Sequence, residues 1–341
     1  MKSDLRLEYL FSTFLINQPA EDAQRVEWCG TGDYDTTKDG QSFLPLALRV
    51  YHSSMKYLPW LLLNLLLLTA GVTAQPSGAA KIREALATSN CVKVEGTQID
   101  VCKYDYTSNG LRVEAISFRP EGDKRFPGIL MIPGFQRTAL DLIPLGVALA
   151  RAGFAGVGIT QPGFGRSEGK ADYVGPNTLR VLTEGYRKFK KELFVDPKTT
   201  GIYGFSRGGM AASLLAVQLD DVDAAVLGAG VYDFKKAHDE ATIEGIRHNM
   251  EIESGWSDAA IRERSSVFMM EKLKCPVLIL HGEKDANVPV SQAYLLRDRL
   301  TALKKDFEIK LFPDRDHGIG PEVTTLTVDF FKRRLLAMKK Q

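Results

Sequence analysis

Two stretches of the chain satisfy the G-x-S-x-G pattern that presents a serine hydroxyl as a nucleophile: residues 204–208, GFSRG, carrying Ser206, and residues 165–169, GRSEG, carrying Ser167. The pattern alone does not choose between them, but its mechanics do, because the serine must sit on a sharp turn from a strand into a helix. Ser206 follows the apolar run 201–205 and precedes GGMAASLLAVQL, in which Met210, Leu214 and Val217 recur at helical spacing. Ser167 lies among Gly163, Gly165, Arg166, Glu168, Gly169 and Lys170, with no helical pattern until after Pro176. We therefore expect Ser206 to be the nucleophile and Ser167 to be a loop residue. The competing reading of Ser206 is a plain tight turn.

A serine hydroxyl attacks an acyl carbon only when a base takes its proton and a carboxylate orients that base. Downstream, PVLILHGEKDANVPV places Asp285 just past an apolar strand, and FPDRDHGIG places His317 past the next one. The chain order serine, acid, histidine is the one that accompanies a G-x-S-x-G elbow, and Asp285 and His317 each follow a strand, where α/β sheets put their active residues. Glu283, Asp314 and Asp316 are competing carboxylates; Asp316 adjoins His317 and is badly placed to reach its ring. His281 ends a strand and reads as structural, with the role of base as its alternative. The oxyanion of the intermediate needs two donors. The expected pair is the backbone N–H of Arg207, next after the nucleophile, and that of Phe135, after the strand ILMIPGF, with Gly134 allowing that loop to turn.

The elements that must position these residues are legible from about residue 113 onward, where apolar runs of strand length alternate with amphipathic stretches, the signature of parallel β-α units. Strands are expected at 113–118, 127–132, 153–159, 201–205, 224–229, 276–281 and 307–312, and helices at 138–152, 177–193, 207–218, 290–303 and 321–338. The polar gap 232–274 reads as a small lid or as surface helices. The 341 residues are 44% hydrophobic and 25% charged with net charge +2, an ordinary globular balance with no basic stripe, so nucleic acid is not an expected partner. The five histidines are scattered and no C-x-x-C occurs, so neither a metal nor another cofactor is expected.

In CVKVEGTQIDVC, residues 91–102, a two-residue turn at Gly96-Thr97 of type II′ pairs Val94 with Ile99, Val92 with Val101, Lys93 with Asp100 and Cys91 with Cys102. That register predicts a disulfide between Cys91 and Cys102, although it also puts them at a hydrogen-bonded position of the ladder, where side chains stand farther apart; two reduced thiols are the alternative. Cys275 reads as a small core residue. Farther upstream, Lys56, a leucine-rich run from Leu58 to about Leu68, and small residues at Val72 and Ala74 have the order of a signal peptide. We expect residues 1–54 to be an upstream extension, 55–74 a signal peptide, and 75–341 one domain that is exported to the periplasm or secreted. An anchor formed by residues 57–74 is the alternative and would make the protein membrane-bound.

Taken together, GFSRGG, HGEKDANVP and DRDHGIG resemble the α/β-hydrolase superfamily, and within it the serine-peptidase domain of the prolyl oligopeptidase group and the dienelactone-hydrolase-like proteins. The resemblance runs from about residue 110 to 338. It implies an α/β-hydrolase fold: a mostly parallel twisted sheet of about eight strands with helices on both faces, to which the hairpin read at residues 91–102 is N-terminal. It also implies Ser206 as nucleophile, Asp285 as acid, His317 as base, Phe135 and Arg207 as oxyanion donors, and no cofactor. The usual H-G-G or H-G-F of the oxyanion loop is here Pro133-Gly134-Phe135, and the serine at position 206 departs from the cysteine of dienelactone hydrolases. Carboxylic-ester hydrolysis is the first expectation and peptide or other acyl hydrolysis the second, with Asp239, Glu240, Glu244, Glu251 and Glu253 as candidates for binding a substrate amine. A hydrolase-fold binding protein without turnover is the third. The expected partner is a small ester or a short acyl or peptide substrate.

Overall fold

In the computed structural model, residues 77–336 are described; the expected extension, the signal segment and the alternative anchor lie outside them. Eleven strands are found among these residues: β1 (Cys91–Lys93), β2 (Asp100–Lys103), β3 (Tyr106–Ser108), β4 (Leu111–Val113), β5 (Ala115–Arg119), β6 (Phe126–Ile132), β7 (Ala155–Ile159), β8 (Val195–Phe205), β9 (Ala224–Gly228), β10 (Val277–Gly282) and β11 (Phe307–Phe312). Nine of them form one sheet in the order β1-β2-β5-β7-β6-β8-β9-β10-β11. The six from β7 to β11 are mutually parallel, whereas β1, β2 and β5 add an antiparallel edge. Every residue of β6, β7, β9 and β10 is buried, which is why these strands read as continuous apolar runs.

Alternation along the strands builds two cores. Leu130, Ile132, Val157, Ile159 and Ile202 pack on one face, and Ile129, Met131, Tyr203, Val226 and Leu280 on the other. Chain order reverses between β6 and β8: from β6 the chain steps to β7 on one side and later to β8 on the other. A crevice at such a switch point opens at the carboxyl ends of the strands. The loop after β6 carries Gly134 and Phe135 there, and the turn after β8 carries Ser206.

Several expected boundaries shift for identifiable reasons. The strand expected at 113–118 is interrupted at Glu114: Val113 ends β4 in a separate hairpin with β3, and Ala115 begins β5. Glu114 is buried, where its carboxylate accepts from Arg166 Nε at 2.9 Å and Thr160 Oγ1 at 3.0 Å. The helix expected at 138–152 opens as a 3-10 turn, Ala139–Leu142, closed by a capping box between Thr138 and Asp141, and becomes α-helical over Ile143–Arg151. The last helix is α-helical over Glu322–Phe331 and then widens into a π-turn, Lys332–Leu336. Helix Gly78–Thr88 has no counterpart among the expected elements; it buries Ile82 and Leu86 against one core. The gap 232–274 folds as the helices Phe234–Glu240, Glu244–Ser254 and Asp258–Glu263 and a 3-10 turn, Ser266–Lys272.

The N-terminal hairpin keeps the expected register, with Cys91 opposite Cys102, Val92 opposite Val101 and Lys93 opposite Asp100. Its turn differs. Thr97 N donates to Val94 O at 3.0 Å, so the β-turn spans Val94 to Thr97 and Gly96, at φ +70°, is its third residue rather than the first central residue of a two-residue loop. This wider connection reverses the phase of the ladder. Val94 N donates to Ile99 O at 2.9 Å and Lys103 N to Asn90 O at 2.7 Å, leaving Cys91 and Cys102 at a non-hydrogen-bonded pair with Cα atoms 4.0 Å apart. They are joined as a disulfide. Because the bridge closes a short loop in the unfolded chain, reduction is expected to lower the unfolding free energy by roughly 2–3 kcal/mol, measured by denaturant titration with and without reductant. Cys275 is a buried free thiol whose pKa burial pushes up to about 12, which suits packing and not nucleophilic chemistry.

Candidate active site

Ser206 joins β8 to the helix Arg207–Gln218 at φ +57° and ψ −124°, a conformation that an L-residue adopts only when the surroundings enforce it. The glycines around it supply that enforcement. A β-carbon on Gly204 would overlap the Gly208 carbonyl, and one on Gly208 would overlap the Ile132 carbonyl. The helix can therefore approach both β8 and the end of β6, and Ser206 N is held by Gly228 O at 2.8 Å.

His317, on the loop after β11, places Nε2 2.8 Å from Ser206 Oγ, while its Nδ1 lies 2.7 Å from Asp285 Oδ2. The Asp285 side chain is fully buried after β10, and its other oxygen accepts the backbone N–H groups of Asn287 and Val288, each at 2.9 Å. Burial acts to raise the Asp285 pKa, but hydrogen bonds from His281 and His317 outweigh it and hold the carboxyl well below the usual carboxylate range. A carboxyl whose folded pKa is depressed contributes stability above its unfolded pKa and loses it as pH falls. Asp285→Asn is accordingly expected to flatten the decline of unfolding free energy below about pH 4, measured by denaturant titrations across pH 2–7.

The other candidates are engaged elsewhere. His281 is fully buried, its Nε2 2.9 Å from Val288 O and 3.4 Å from Asp285 Oδ2, so it braces the Asp285 carboxylate rather than bonding Ser206. Glu283 accepts from Tyr294 Oη at 3.3 Å, Asp314 pairs with Lys284 at 2.9 Å, and Asp316 accepts from Gly318 N at 2.9 Å within its own turn. Ser167 is buried away from the histidine; its hydroxyl accepts from Glu114 N at 2.9 Å and donates to Thr160 O at 2.8 Å, tying the glycine-rich loop to the strands.

Gly134 passes directly over Ser206, since a β-carbon there would lie 3.2 Å from Ser206 Cβ. Phe135 and Arg207 line a cavity of about 480 Å³ together with Ser206 and His317. The loop has Pro133-Gly134-Phe135 in place of the family's usual histidine-glycine sequence, yet it is tethered: Gln161 Nε2, buried on the loop after β7, donates to Pro133 O at 2.8 Å. No motif marks Gln161, which lies 28 residues from its partner. The rest of the wall is largely apolar, including Met210, Val231, Ile246 and Val288.

The acidic residues considered for amine binding do not face this cavity. Asp239 pairs with Lys235 at 2.6 Å, Glu240 bonds to Lys236 and Ser291, Glu251 lies 2.7 Å from His238 Nε2, and Glu253 pairs with Arg207 at 2.6 Å; neither these nor Glu244 is among the lining residues. A hydroxyl, an imidazole and a buried carboxylate in series, opening on a cavity that Phe135 and Arg207 also line, form an arrangement able to transfer an acyl group.

Comparison with known proteins agrees with this architecture. Residues 167–336 match the model of the prolyl oligopeptidase family. The chain is 27% identical over 224 residues to the uncharacterized peptidase YtmA of Bacillus subtilis, covering 64% of this chain and 86% of that one. It is 29% identical over 168 residues to dipeptidyl-peptidase 5 of Porphyromonas endodontalis, covering 46% of this chain and 24% of the relative. Among solved structures, the acylaminoacyl peptidase of Pyrococcus horikoshii superposes with a TM-score of 0.62 at 19% identity, over 70% of this chain and 42% of its own length. The chain thus spans most of the small peptidase but less than half of the larger ones. It is a serine hydrolase carrying a prolyl oligopeptidase family domain on an α/β-hydrolase fold.

Proposed function

We propose that this protein cleaves peptide or amide bonds of short substrates through an acyl-enzyme on Ser206, and carboxylic esters as a second activity. The observation that carries the reading is the relay from Asp285 through His317 to Ser206 Oγ, at 2.7 and 2.8 Å, opening on an apolar cavity. Ser206 Oγ attacks the carbonyl carbon while His317 Nε2 takes its proton, and buried Asp285 stabilises the imidazolium. The Phe135 and Arg207 N–H groups receive the developing oxyanion. His317 returns the proton to the leaving amine or alcohol, and water attacks the acyl-enzyme by the same route in reverse.

Relatives named as peptidases support placing amide bonds ahead of esters, the reverse of the order expected from the motifs. Among the described residues no carboxylate lines the cavity, so none of them is placed there to hold a free amino terminus, which favours substrates whose amino end is blocked or lies outside. Turnover of amino-blocked apolar aminoacyl-nitroanilides that is lost in Ser206→Ala supports this reading. Cleavage confined to p-nitrophenyl esters returns the ester reading to first place, and silence on both series favours a binding protein. The proposal includes export, which the Cys91–Cys102 disulfide supports as a bond favoured in oxidising compartments. Peptide mapping of native protein for its amino terminus and free thiols tests that part.

A further inference from the structure

The helix Glu244–Ser254 contributes Ile246 and Asn249 to the cavity wall, yet of its own side chains only Met250 is buried. Ile252 is 66% exposed, so apolar packing supplies little of what holds this helix in place. His238 bonds Glu251 at 2.7 Å, but both belong to the segment 232–274 and tie it only to itself. Among the described residues, the hydrogen bonds of this helix to partners outside 232–274 run through Glu253.

Glu253 meets Arg207 in a two-pronged ion pair, Nη1 to Oε2 at 2.6 Å and Nη2 to Oε1 at 3.2 Å, and Oε2 also accepts from Tyr173 N at 3.2 Å. The two side chains are 5% and 15% exposed. The guanidinium carbon lies 4.1 Å from the centre of the Tyr173 ring and 4.5 Å from that of Phe135. Burying two charges is costly unless they are well paired, and a forked, stacked guanidinium is the geometry that offsets the cost. Arg207 is therefore attached at three points: its backbone follows Ser206, one of the rings it stacks on belongs to Phe135, the residue expected to give the second oxyanion N–H, and its ion pair is with the wall helix.

We propose that Arg207 and Glu253 form a positioning pair that holds the helix Glu244–Ser254 beside Ser206 and the Phe135 loop against the elbow, and so limits the size of acyl group the cavity admits. The inference rests on the reading of Ser206 as nucleophile. Glu253→Gln, nearly isosteric, removes the charge and leaves Arg207 buried without its partner; Arg207→Lys keeps the charge but loses the fork and the flat stacking face.

The test uses the full chain with acyl-nitroanilides and p-nitrophenyl esters graded from acetyl to bulky aromatic acyl groups, together with hydrogen exchange. Glu253→Gln is expected to lower kcat/KM for the smallest acyl group about tenfold, to raise the bulky-to-small preference by about threefold or more, and to speed exchange across residues 244–254. Arg207→Lys is expected to fall between wild type and Glu253→Gln in both readouts. A lower unfolding midpoint with an unchanged or reversed acyl preference marks a merely structural pair and overturns the proposal. Turnover that survives in Ser206→Ala sinks the nucleophile reading on its own. In that event faster exchange confined to residues 244–254 still supports the holding role, and unchanged exchange overturns it.

Discussion

Ser206→Ala is expected to lower kcat by on the order of 10⁴- to 10⁶-fold, with Ser167→Ala leaving turnover within about threefold of wild type. The first figure follows from the geometry: Ser206 Oγ is the atom within 2.8 Å of His317 Nε2, so its removal takes away both the bond-forming oxygen and the purpose of the relay. His317→Ala is expected to match it, and the double variant to add little, because groups that act as a unit do not contribute additively. Ser167 satisfies the same sequence pattern, but its hydroxyl is spent on Glu114 N and Thr160 O. Its loss is a matter of stability, about 1–2 kcal/mol for buried groups left without a partner. Fluorophosphonate labelling followed by peptide mapping separates the two serines: label on Ser206 alone agrees with the assignment, and label on Ser167, or comparable losses of turnover, defeats it.

Gly208→Ala is expected to destabilise the fold by about 3 kcal/mol or more and to remove most activity with it. The new β-carbon would overlap the Ile132 carbonyl and sit 2.7 Å from the Pro133 carbonyl, backbone atoms that no rotamer change can clear. The helix after Ser206 would have to move off the end of β6, carrying Arg207 N–H away from the loop that holds Phe135. Glycine is otherwise a poor helix former, so the substitution should gain about 1 kcal/mol from propensity alone, which makes the predicted sign a real test of the contact. Gly245→Ala provides the comparison. It sits in the first turn of the helix Glu244–Ser254 with nothing within 4 Å of the added carbon, and is expected to be neutral or slightly stabilising. Denaturant midpoints for the two variants decide the matter: similar small shifts would show that the elbow does not depend on this close approach.

Most of the sheet was readable because its strands carry their own signal. Runs such as FPGILMI and AGVGI are apolar along their whole length, as strands covered on both faces tend to be, and the helices between them repeat at their own period. The segment 232–274 was ambiguous for the same physical reason in reverse. Its helices are short and bury few side chains, so the apolar stripe that announces a helix is faint, and capping by Asp233 and Ser257 does more to define their starts. The hairpin shows the limit of local rules most clearly. Its register follows from matching side chains across the strands, but the phase of its hydrogen bonds depends on whether the turn closes at Val94 or at Glu95, a choice that the six residues 94–99 leave open.

The sequence by itself determined the order of the chemistry: a strand, a glycine-flanked serine and a helix, then an acid and a histidine after later strands. Each of those features is local, and a parallel sheet brings the carboxyl ends of its strands to one edge regardless of what lies between. The tertiary structure alone decided which groups hold the loops and the helix around the site. Gln161 reaches Pro133 across 28 residues, Ser167 binds Glu114 across 53, and Glu253 meets Arg207 across 46. Such pairings have no period and no spacing rule, because they are set by where the chain returns after crossing the sheet and not by what its neighbours in sequence prefer.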